Sequence, residues 1–117
     1  MILMTDSNNQ EEQQLMQAMG LITNAGNAKS LAMEAIHAAH NDDFKGAQAK
    51  IAEANKALVE AHNMQTKMLT AEANGQHAQL TLLMVHSQDH LMTAITFIDL
   101  AQELISVYQK LADAGKN

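Results

Sequence analysis

The sequence has no cysteine and no proline, and only five of its 117 residues are glycine. Without cysteine, a disulfide framework, a thiolate metal site and a cysteine nucleophile are all excluded. Without proline, and with many alanine, leucine, methionine, glutamine and glutamate residues, the chain favours long helices. Arginine is absent too and the net charge is −6. This balance argues against nucleic-acid binding, because that function needs a basic surface.

Long apolar runs and a basic N-terminus are also missing. No uninterrupted apolar run approaches the ~20 residues of a membrane-spanning helix. The N-terminus turns acidic at Glu11 and Glu12 and lacks the basic region of a signal peptide. We therefore expect a soluble, cytoplasmic protein. Its length fits one domain over residues 1–117, with residues 1–11 as a flexible N-terminal segment.

Two short stretches look like breaks between helices. "HNDDF" at residues 40–44 holds an Asn-Asp-Asp cluster, which is typical of a turn followed by an N-cap. "EANGQH" at residues 72–77 holds Asn-Gly, which is typical of a helix end. Because short turns join antiparallel neighbours, the pattern predicts an all-α fold, an antiparallel, up-down-up three-helix bundle. We assign no role to the histidines near these turns and expect the last of them to open the third helix: His37, His40 and His77.

Apolar residues recur at three- and four-residue steps in the first two predicted helices. In the first helix they form a face of mostly small side chains: Leu15, Met19, Ile22, Ala25, Ala28, Ala32, Ile36 and Ala39. In the second they form a seam that one polar residue interrupts: Phe44, Ala47, Ile51, Ala54, Leu58, Ala61, Gln65 and Met68. Both faces are of the kind that pack in helix bundles.

The third helix carries more apolar surface than a three-helix monomer needs. On a helical wheel with about 100° per residue, His86 lies near the middle of an apolar arc that covers well over half of the circumference. Its nearest neighbours on the wheel are Leu82, Thr93, Phe97, Leu104, Tyr108 and Leu111. We interpret the surplus as a second apolar face between subunits and expect a homo-oligomer. The alternative is a helix that is simply more buried than its neighbours.

Two imidazoles and a carboxylate interrupt this apolar helix in "VHSQDH", residues 85–90. His86, Asp89 and His90 lie within one helical turn of each other. Burying such groups costs free energy unless they are hydrogen-bonded, metal-bound or used for chemistry. Counting from the two turns places polar residues of the other helices level with His86: His62, Gln65 and the segment 24–27.

From the residues alone, three interpretations stay open. His86 is a hydrogen-bonded core residue, or it shares a metal ion with His90, or it is a nucleophile that carries a phosphoryl group transiently. A catalytic zinc site lacks support, because Ser87 stands where the zinc-protease motif has glutamate.

Two rival classes of protein also stay open. One is a non-catalytic helical oligomerisation or adaptor protein. The other is a two-component histidine phosphotransfer domain, which usually has a lysine or arginine close to its histidine. No such residue lies near His86 in the sequence.

Three segments carry a resemblance to a known family: "HSQDHLMT" (86–93), "EAHNMQTKML" (60–69) and "AGNAKSLAMEAI" (25–36), together with the turn "NDDF". They resemble the lactose/cellobiose family of enzyme IIA proteins of the bacterial phosphoenolpyruvate-dependent sugar phosphotransferase system. The resemblance implies a homotrimer of three-helix subunits. It implies that His86 accepts a phosphoryl group from the phosphocarrier HPr and passes it to a cysteine of the cognate IIB protein. The chain would then serve a membrane IIC permease for a β-linked disaccharide of the lactose, cellobiose or chitobiose type.

The resemblance also implies that Asp89 from three subunits meets at the threefold axis around a divalent cation, typically Mg²⁺. Three like charges in a dry interface need such neutralisation, and oxygen ligands suit magnesium. We expect Met84 and Met92 in an apolar docking patch around His86, and we interpret Lys29, Lys50 and Lys56 as helix-surface charge. The candidates for orienting the His86 ring or contacting phosphoryl oxygens are Gln65, Gln88, His90 and His62.

Overall fold

The structure is a computed structural model that describes residues 2–116, with side chains described over residues 9–116. Over the described range the chain forms three α-helices, α1 (Ile2–His40), α2 (Phe44–Ala73) and α3 (Leu82–Ala114). They pack into a rod that measures 75 × 21 × 20 Å, in which α1 and α3 run parallel and α2 runs antiparallel to both. The predicted all-α, up-down-up three-helix bundle is confirmed.

Two predictions about this architecture stay predictions. The flexible segment expected at residues 1–11 lies in part outside the described residues. The expected homotrimer concerns contacts between subunits, and a single chain does not test it.

Local hydrogen bonds and backbone geometry define the two ends of α2. The Asp43 carboxylate accepts a hydrogen bond from the Gly46 N–H at 2.9 Å and so caps the start of the helix. At the other end the helix stops at Asn74, and the chain turns through Gly75 with φ +88°. Glycine adopts this left-handed conformation without the steric penalty of a Cβ atom. Both predicted turns are therefore confirmed.

The start of α3 differs from the prediction. The Thr81 hydroxyl accepts a hydrogen bond from the Met84 N–H at 3.1 Å, and this cap begins the helix at Leu82. The prediction that His77 opens α3 is wrong, because the hydroxyl cap comes four residues later in the chain. His77 lies in the connection before the helix, with its Nδ1 2.7 Å from Glu72 Oε1.

Small residues form most of the bundle core. In α1 the buried seam is Ala18, Leu21, Ala25, Ala28, Ala32, Ala35 and Ala39. The facing seam of α3 is Met84, Ser87, Leu91, Ala94, Ile98, Ala101 and Ile105. The two seams follow the same three- and four-residue steps. Each buried residue of α1 therefore lies level with the buried α3 residue whose number is 66 higher. Ala25 accordingly clusters with Leu91, and Ala32 with Ile98.

The predicted core faces are right for α2 and only partly right for α1. From α2 the core receives Ala47, Ile51, Ala54 and Ala61, all of them predicted. In α1, Leu15 and Met19 are 50% and 49% exposed, and Ala18 and Leu21 are buried in their place. The reason is that the seven-residue repeat of the seam continues unchanged to the N-terminal part of α1, whereas the predicted face drifted around the helix.

One side of α3 remains uncovered in the single chain. Its exposed apolar residues are Leu82, Val85, Met92, Leu100, Leu104, Val107 and Leu111, and we call them the outer face. All of them lie within about 60° of Asp89 on the wheel, and Leu91 and Ile98 lie about 160–180° away from Asp89. The predicted surplus of apolar surface is therefore present.

By length and composition, α3 is long and apolar enough to cross a membrane, with a mean hydropathy of 1.3 over a stretch that is 28% buried. The sequence prediction considered only uninterrupted apolar runs and did not find this stretch. The core seam on one side of α3 and the exposed outer face on the other together give this average, and the bundle covers only the core seam.

Candidate functional site

His86 and His90 lie together on the side of α3 that faces α1. Tyr108 marks this side, because it stacks on His40 of α1 with ring centroids 5.3 Å apart. The two imidazoles meet edge to face with centroids 4.4 Å apart and their Nε2 atoms 3.1 Å apart. His86 is exposed and His90 is half-buried. The interpretation of His86 as a core histidine is therefore wrong, and its ring is open to a partner.

The hydrogen bond between the rings assigns their tautomers. His90 Nδ1 is buried and has no hydrogen-bond partner among the described residues. An orphaned N–H is rarer in folded proteins than an under-satisfied acceptor, so the proton of neutral His90 belongs on Nε2. This Nε2–H donates to Nε2 of His86, which leaves the His86 proton on Nδ1. The lone pair of His86 is therefore on Nε2, where it accepts the hydrogen bond from His90 until another group displaces that donor.

The surroundings keep His90 neutral. Burial lowers the pKa of His90 below its ordinary value of 6.5, and the neighbouring His86 ring and the Lys29 ammonium lower it further. The Asp89 carboxylate raises the pKa, with a smaller effect than any of these. At neutral pH the His90 ring thus carries the single proton that the hydrogen bond to His86 requires.

Lys29 is the residue near the site that sequence reasoning missed. It was interpreted as helix-surface charge, but it is half-buried on α1 and its charge acts on His90. It has no ion pair or side-chain hydrogen bond in the described part of the chain, whereas Lys50 pairs with Glu34 at 3.3 Å. The 66-residue offset between the α1 and α3 seams would have placed it near His90. The argument that no lysine lies near the histidines therefore fails, and it no longer counts against a histidine phosphotransfer domain.

Gln65 and Gln88 form a separate pair on the other flank of α3. Gln65 Nε2 donates to Gln88 Oε1 at 2.8 Å across the groove between α2 and α3. On the wheel Gln88 lies about 160° from His90 and about 160° from His86. Gln65 is thus level with Gln88 and not with His86, because the connection before Thr81 is longer than the predicted turn. Within one chain, the structure does not bring this pair to the imidazoles.

His62 is exposed on α2, and among the described residues its ring makes no hydrogen bond, while its carbonyl oxygen accepts one from Thr66 at 3.0 Å. Met92 is exposed as expected, but Met84 is only 5% exposed and belongs to the core. The polar residue that the apolar helix does bury is Ser87, whose hydroxyl donates to the Met84 carbonyl oxygen at 2.6 Å. Ser87 is therefore a satisfied core residue.

Asp89 is exposed in the middle of the outer face, opposite the core seam of α3. Over the described residues, no group of three or more His, Cys, Asp or Glu side chains is arranged to hold a metal ion. One chain thus offers a single carboxylate, of the oxygen type that Mg²⁺ prefers. Asp89 fits a magnesium site only if other copies of the chain bring further carboxylates to it.

Comparison with known proteins gives a consistent result. The family described as "PTS system, Lactose/Cellobiose specific IIA subunit" matches residues 16–109. The chain is 43% identical over 105 residues to the lichenan-specific phosphotransferase enzyme IIA component of Bacillus subtilis, covering 90% of this chain and 94% of that one.

Solved structures agree with this match. The crystal structure of the cellobiose-specific enzyme IIA from Bacillus anthracis has a TM-score of 0.83 at 41% identity, covering 84% of this chain and 90% of that one. The solution structure of the IIA–HPr complex from the N,N'-diacetylchitobiose branch of the Escherichia coli phosphotransferase system has a TM-score of 0.74 at 39% identity, covering 85% and 96%. The predicted resemblance is confirmed, and the chain belongs to the lactose/cellobiose-specific IIA family of the sugar phosphotransferase system.

Proposed function

We propose that His86 is the phosphoryl-accepting residue of this protein. The role of phosphoryl carrier in a sugar phosphotransferase system follows from family membership. One observation supports the assignment to His86: its ring is exposed, with its Nε2 atom 3.1 Å from Nε2 of His90. HPr is the donor, as the complex of the related chitobiose protein indicates, and a cysteine of the cognate IIB protein is the acceptor.

In the first step, Nε2 of His86 attacks the phosphorus of phosphorylated HPr in line. The new N–P bond forms with the His86 lone pair as the bond from phosphorus to HPr breaks, and the bonding electrons return to HPr. In the second step, the cysteine thiolate of IIB attacks the same phosphorus. The N–P bond then breaks and its electron pair returns to His86. No oxidant, reductant or further reactant is needed.

His90 orients His86 before the transfer and stabilises the product after it. Its Nε2–H holds the His86 ring in the tautomer with the lone pair on Nε2. When phosphorus takes that lone pair, the same N–H is free to donate to a phosphoryl oxygen. Leu83 lines an open apolar groove beside His86, which suits the docking of HPr and IIB in turn.

The outer face of α3 is the subunit contact in this proposal. It extends from Leu82 to Leu111, about 44 Å along the helix at 1.5 Å per residue. In a homotrimer with Asp89 at the axis, the two flanks of α3 meet the opposite flanks of neighbouring subunits. The Gln65–Gln88 pair of one subunit then approaches His86 of the next, which gives these glutamines the supporting role predicted for them.

Three Asp89 carboxylates on one axis would hold a divalent cation, with Mg²⁺ favoured by an all-oxygen ligand set. When bound, the cation offsets charge repulsion between subunits. Asp89 lies on the outer face and His86 on its flank, so the metal has a structural role. The protein would act in the cytoplasm beside the membrane IIC permease.

The phosphoryl transfer is tested with phosphoenolpyruvate, enzyme I, HPr and the purified protein, followed by detection of acid-labile phosphate. We expect label on the parent chain and none on His86→Gln, with unchanged circular dichroism. His40→Gln is the matched control and should be labelled normally. Label retained on His86→Gln refutes the assignment, and an unlabelled parent chain favours the adaptor protein. Labelling from a phosphorylated response regulator instead would indicate a histidine phosphotransfer domain.

The subunit contact is tested by sedimentation equilibrium. The parent chain should sediment at about three times its 12.7 kDa mass. Leu100→Asp, in the middle of the outer face, should shift the protein towards monomer because it places a further charge in an apolar contact. Leu69→Asp makes the same change at an exposed position on α2, outside the outer face, and should leave the assembly intact. A monomeric parent chain overturns this part of the proposal.

A further inference from the structure

Lys29 is a half-buried cation with no anionic partner in the described residues. Lys50, which is half-buried like Lys29, pairs with Glu34 at 3.3 Å, whereas Lys29 has no such pair. Lys29 therefore carries a positive charge that no carboxylate of the described residues offsets through an ion pair. Such a group suits a site that receives an anion only during part of its working cycle.

Two geometric relations direct Lys29 towards the imidazole pair. First, Lys29 comes directly after the buried residue Ala28, and His40 comes directly after the buried residue Ala39. Lys29 and His40 therefore lie on the same side of α1, and His40 stacks on Tyr108 of α3. The Lys29 side chain therefore leaves α1 on the side that faces α3. Second, the 66-residue offset places the Lys29 backbone level with Ile95. Helical side chains lean towards the N-terminus of their helix. Because α1 and α3 run parallel and an extended lysine side chain spans about one helical turn, the Lys29 ammonium reaches from the level of Ile95 towards that of His90.

The electrostatics of the pair agree with this placement. The charge of Lys29 contributes to lowering the pKa of His90, after burial and the neighbouring His86 ring. A charge that acts on His90 also acts on whatever His86 carries, since the Nε2 atoms of the two rings are 3.1 Å apart. A phosphoryl group on His86 would introduce an anion beside the two rings, where the charge of Lys29 acts on His90 more strongly than the Asp89 carboxylate does.

We propose that Lys29 is the counter-charge of the phosphorylated state, a positioning residue on α1 whose ammonium attracts the phosphoryl group to His86 and stabilises it there. This inference rests on the proposed role of His86 and adds a residue from a different helix. One lysine neutralises only part of a phosphoryl dianion, so the group stays transferable to the cysteine of IIB.

The deciding measurement is the equilibrium ratio of phosphorylated to free protein in mixtures with phosphorylated and free HPr. The reactants and products of this equilibrium are separate proteins and not complexes. The ratio therefore reports the stability of the phosphohistidine and does not depend on how tightly HPr docks. We expect Lys29→Gln to lower the ratio about fivefold to tenfold, as the loss of one nearby charge near a protein surface implies. Lys29→Arg keeps the charge and should stay within about twofold of the parent chain.

Lys56→Gln is the matched control, because it removes the same charge from an exposed position on α2. It should leave the ratio unchanged. Lys29→Met replaces Lys29→Gln if the latter fails to fold by circular dichroism, and it should show the same loss. A ratio for the neutral variants equal to that of the parent chain overturns the inference, and so does an Arg variant as weak as the Gln variant.

His86→Gln is assayed in parallel to separate the two proposals. If His86→Gln still takes up phosphate, the assignment of His86 fails regardless of the lysine variants. If His86→Gln is inert and the Lys29 variants equilibrate like the parent chain, only the role of Lys29 fails.

Discussion

Leu91 offers the sharpest test of how this bundle is held together. It is 0% exposed and packs with Leu21, Ala25, Ala61 and Ala94, directly after His90 in the chain. Leu91→Ala removes about three buried carbon groups, worth about 2.4 kcal/mol of transfer free energy. Three of its four fully buried neighbours in this cluster are alanines, which cannot collapse far into the space, so a residual cavity adds to that cost. We expect a total loss of about 3–4 kcal/mol.

That loss predicts a large shift in melting temperature. With an unfolding entropy of about 2.1 cal/mol/K per residue, a chain of this length has roughly 0.25 kcal/mol/K, so 3–4 kcal/mol corresponds to about 12–16 °C. The assay is thermal unfolding by circular dichroism, with all variants at one protein concentration because an oligomer melts at a concentration-dependent temperature.

Leu69→Ala is the matched control, because Leu69 is 61% exposed on α2 and lies outside both the core and the outer face of α3. It should cost less than about 0.5 kcal/mol. The reasoning is refuted if Leu91→Ala and Leu69→Ala melt within about 2 °C of each other, because Leu91 would then not be a core residue.

Further predictions concern the caps, the second turn and pH. Asp43→Ala removes the acceptor for the Gly46 N–H and should cost about 1 kcal/mol in denaturant unfolding, whereas Asp43→Ser should keep most of it. Gly75→Ala places a Cβ atom at φ +88° and should cost about 1–2 kcal/mol, with Gly75→Asn milder; equal stability of Gly75→Ala and the parent chain would contradict the turn geometry. The folded state resists protonation of His90, because its pKa is lowered below 6.5. The unfolded chain therefore takes up that proton first as the pH falls through 6.5, and the unfolding free energy should decrease until the pH passes the lowered pKa. His90→Gln should flatten this part of the stability–pH curve.

The two histidines of "VHSQDH" illustrate what position on a helix can decide. Both belong to one apolar helix at i, i+4 spacing, yet one is exposed and the other is half-buried with an unpartnered Nδ1. Burial on one ring assigns its proton to Nε2, and the hydrogen bond passes that choice on to the lone pair of the other ring. This difference in burial gives two identical side chains different proton positions, on which the proposed role of His86 depends.

The spacing of apolar residues and the turn-forming residues in the sequence determined the fold. The Asn-Asp-Asp cluster and Asn74-Gly75 act through local backbone geometry, so they identified both turns without knowledge of any distant contact. The three- and four-residue steps of α2 likewise predicted its core seam. The His-Asp-His motif and its neighbours were enough to indicate the family, and the matches to known proteins confirm it.

Rotation and register between helices were decided only by the tertiary structure. Because α3 is apolar on two sides, its sequence did not reveal which side the other helices cover, and His86 was placed near the centre of the apolar arc when it lies on a flank. The extra residues before Thr81 moved Gln65 from the level of His86 to that of Gln88. Lys29 and His90 are 61 positions apart in the chain, and only the parallel packing of α1 on α3 brings their charges together. Local sequence fixes what each helix can bury, whereas the relative shift of two packed helices depends on all of their contacts at once.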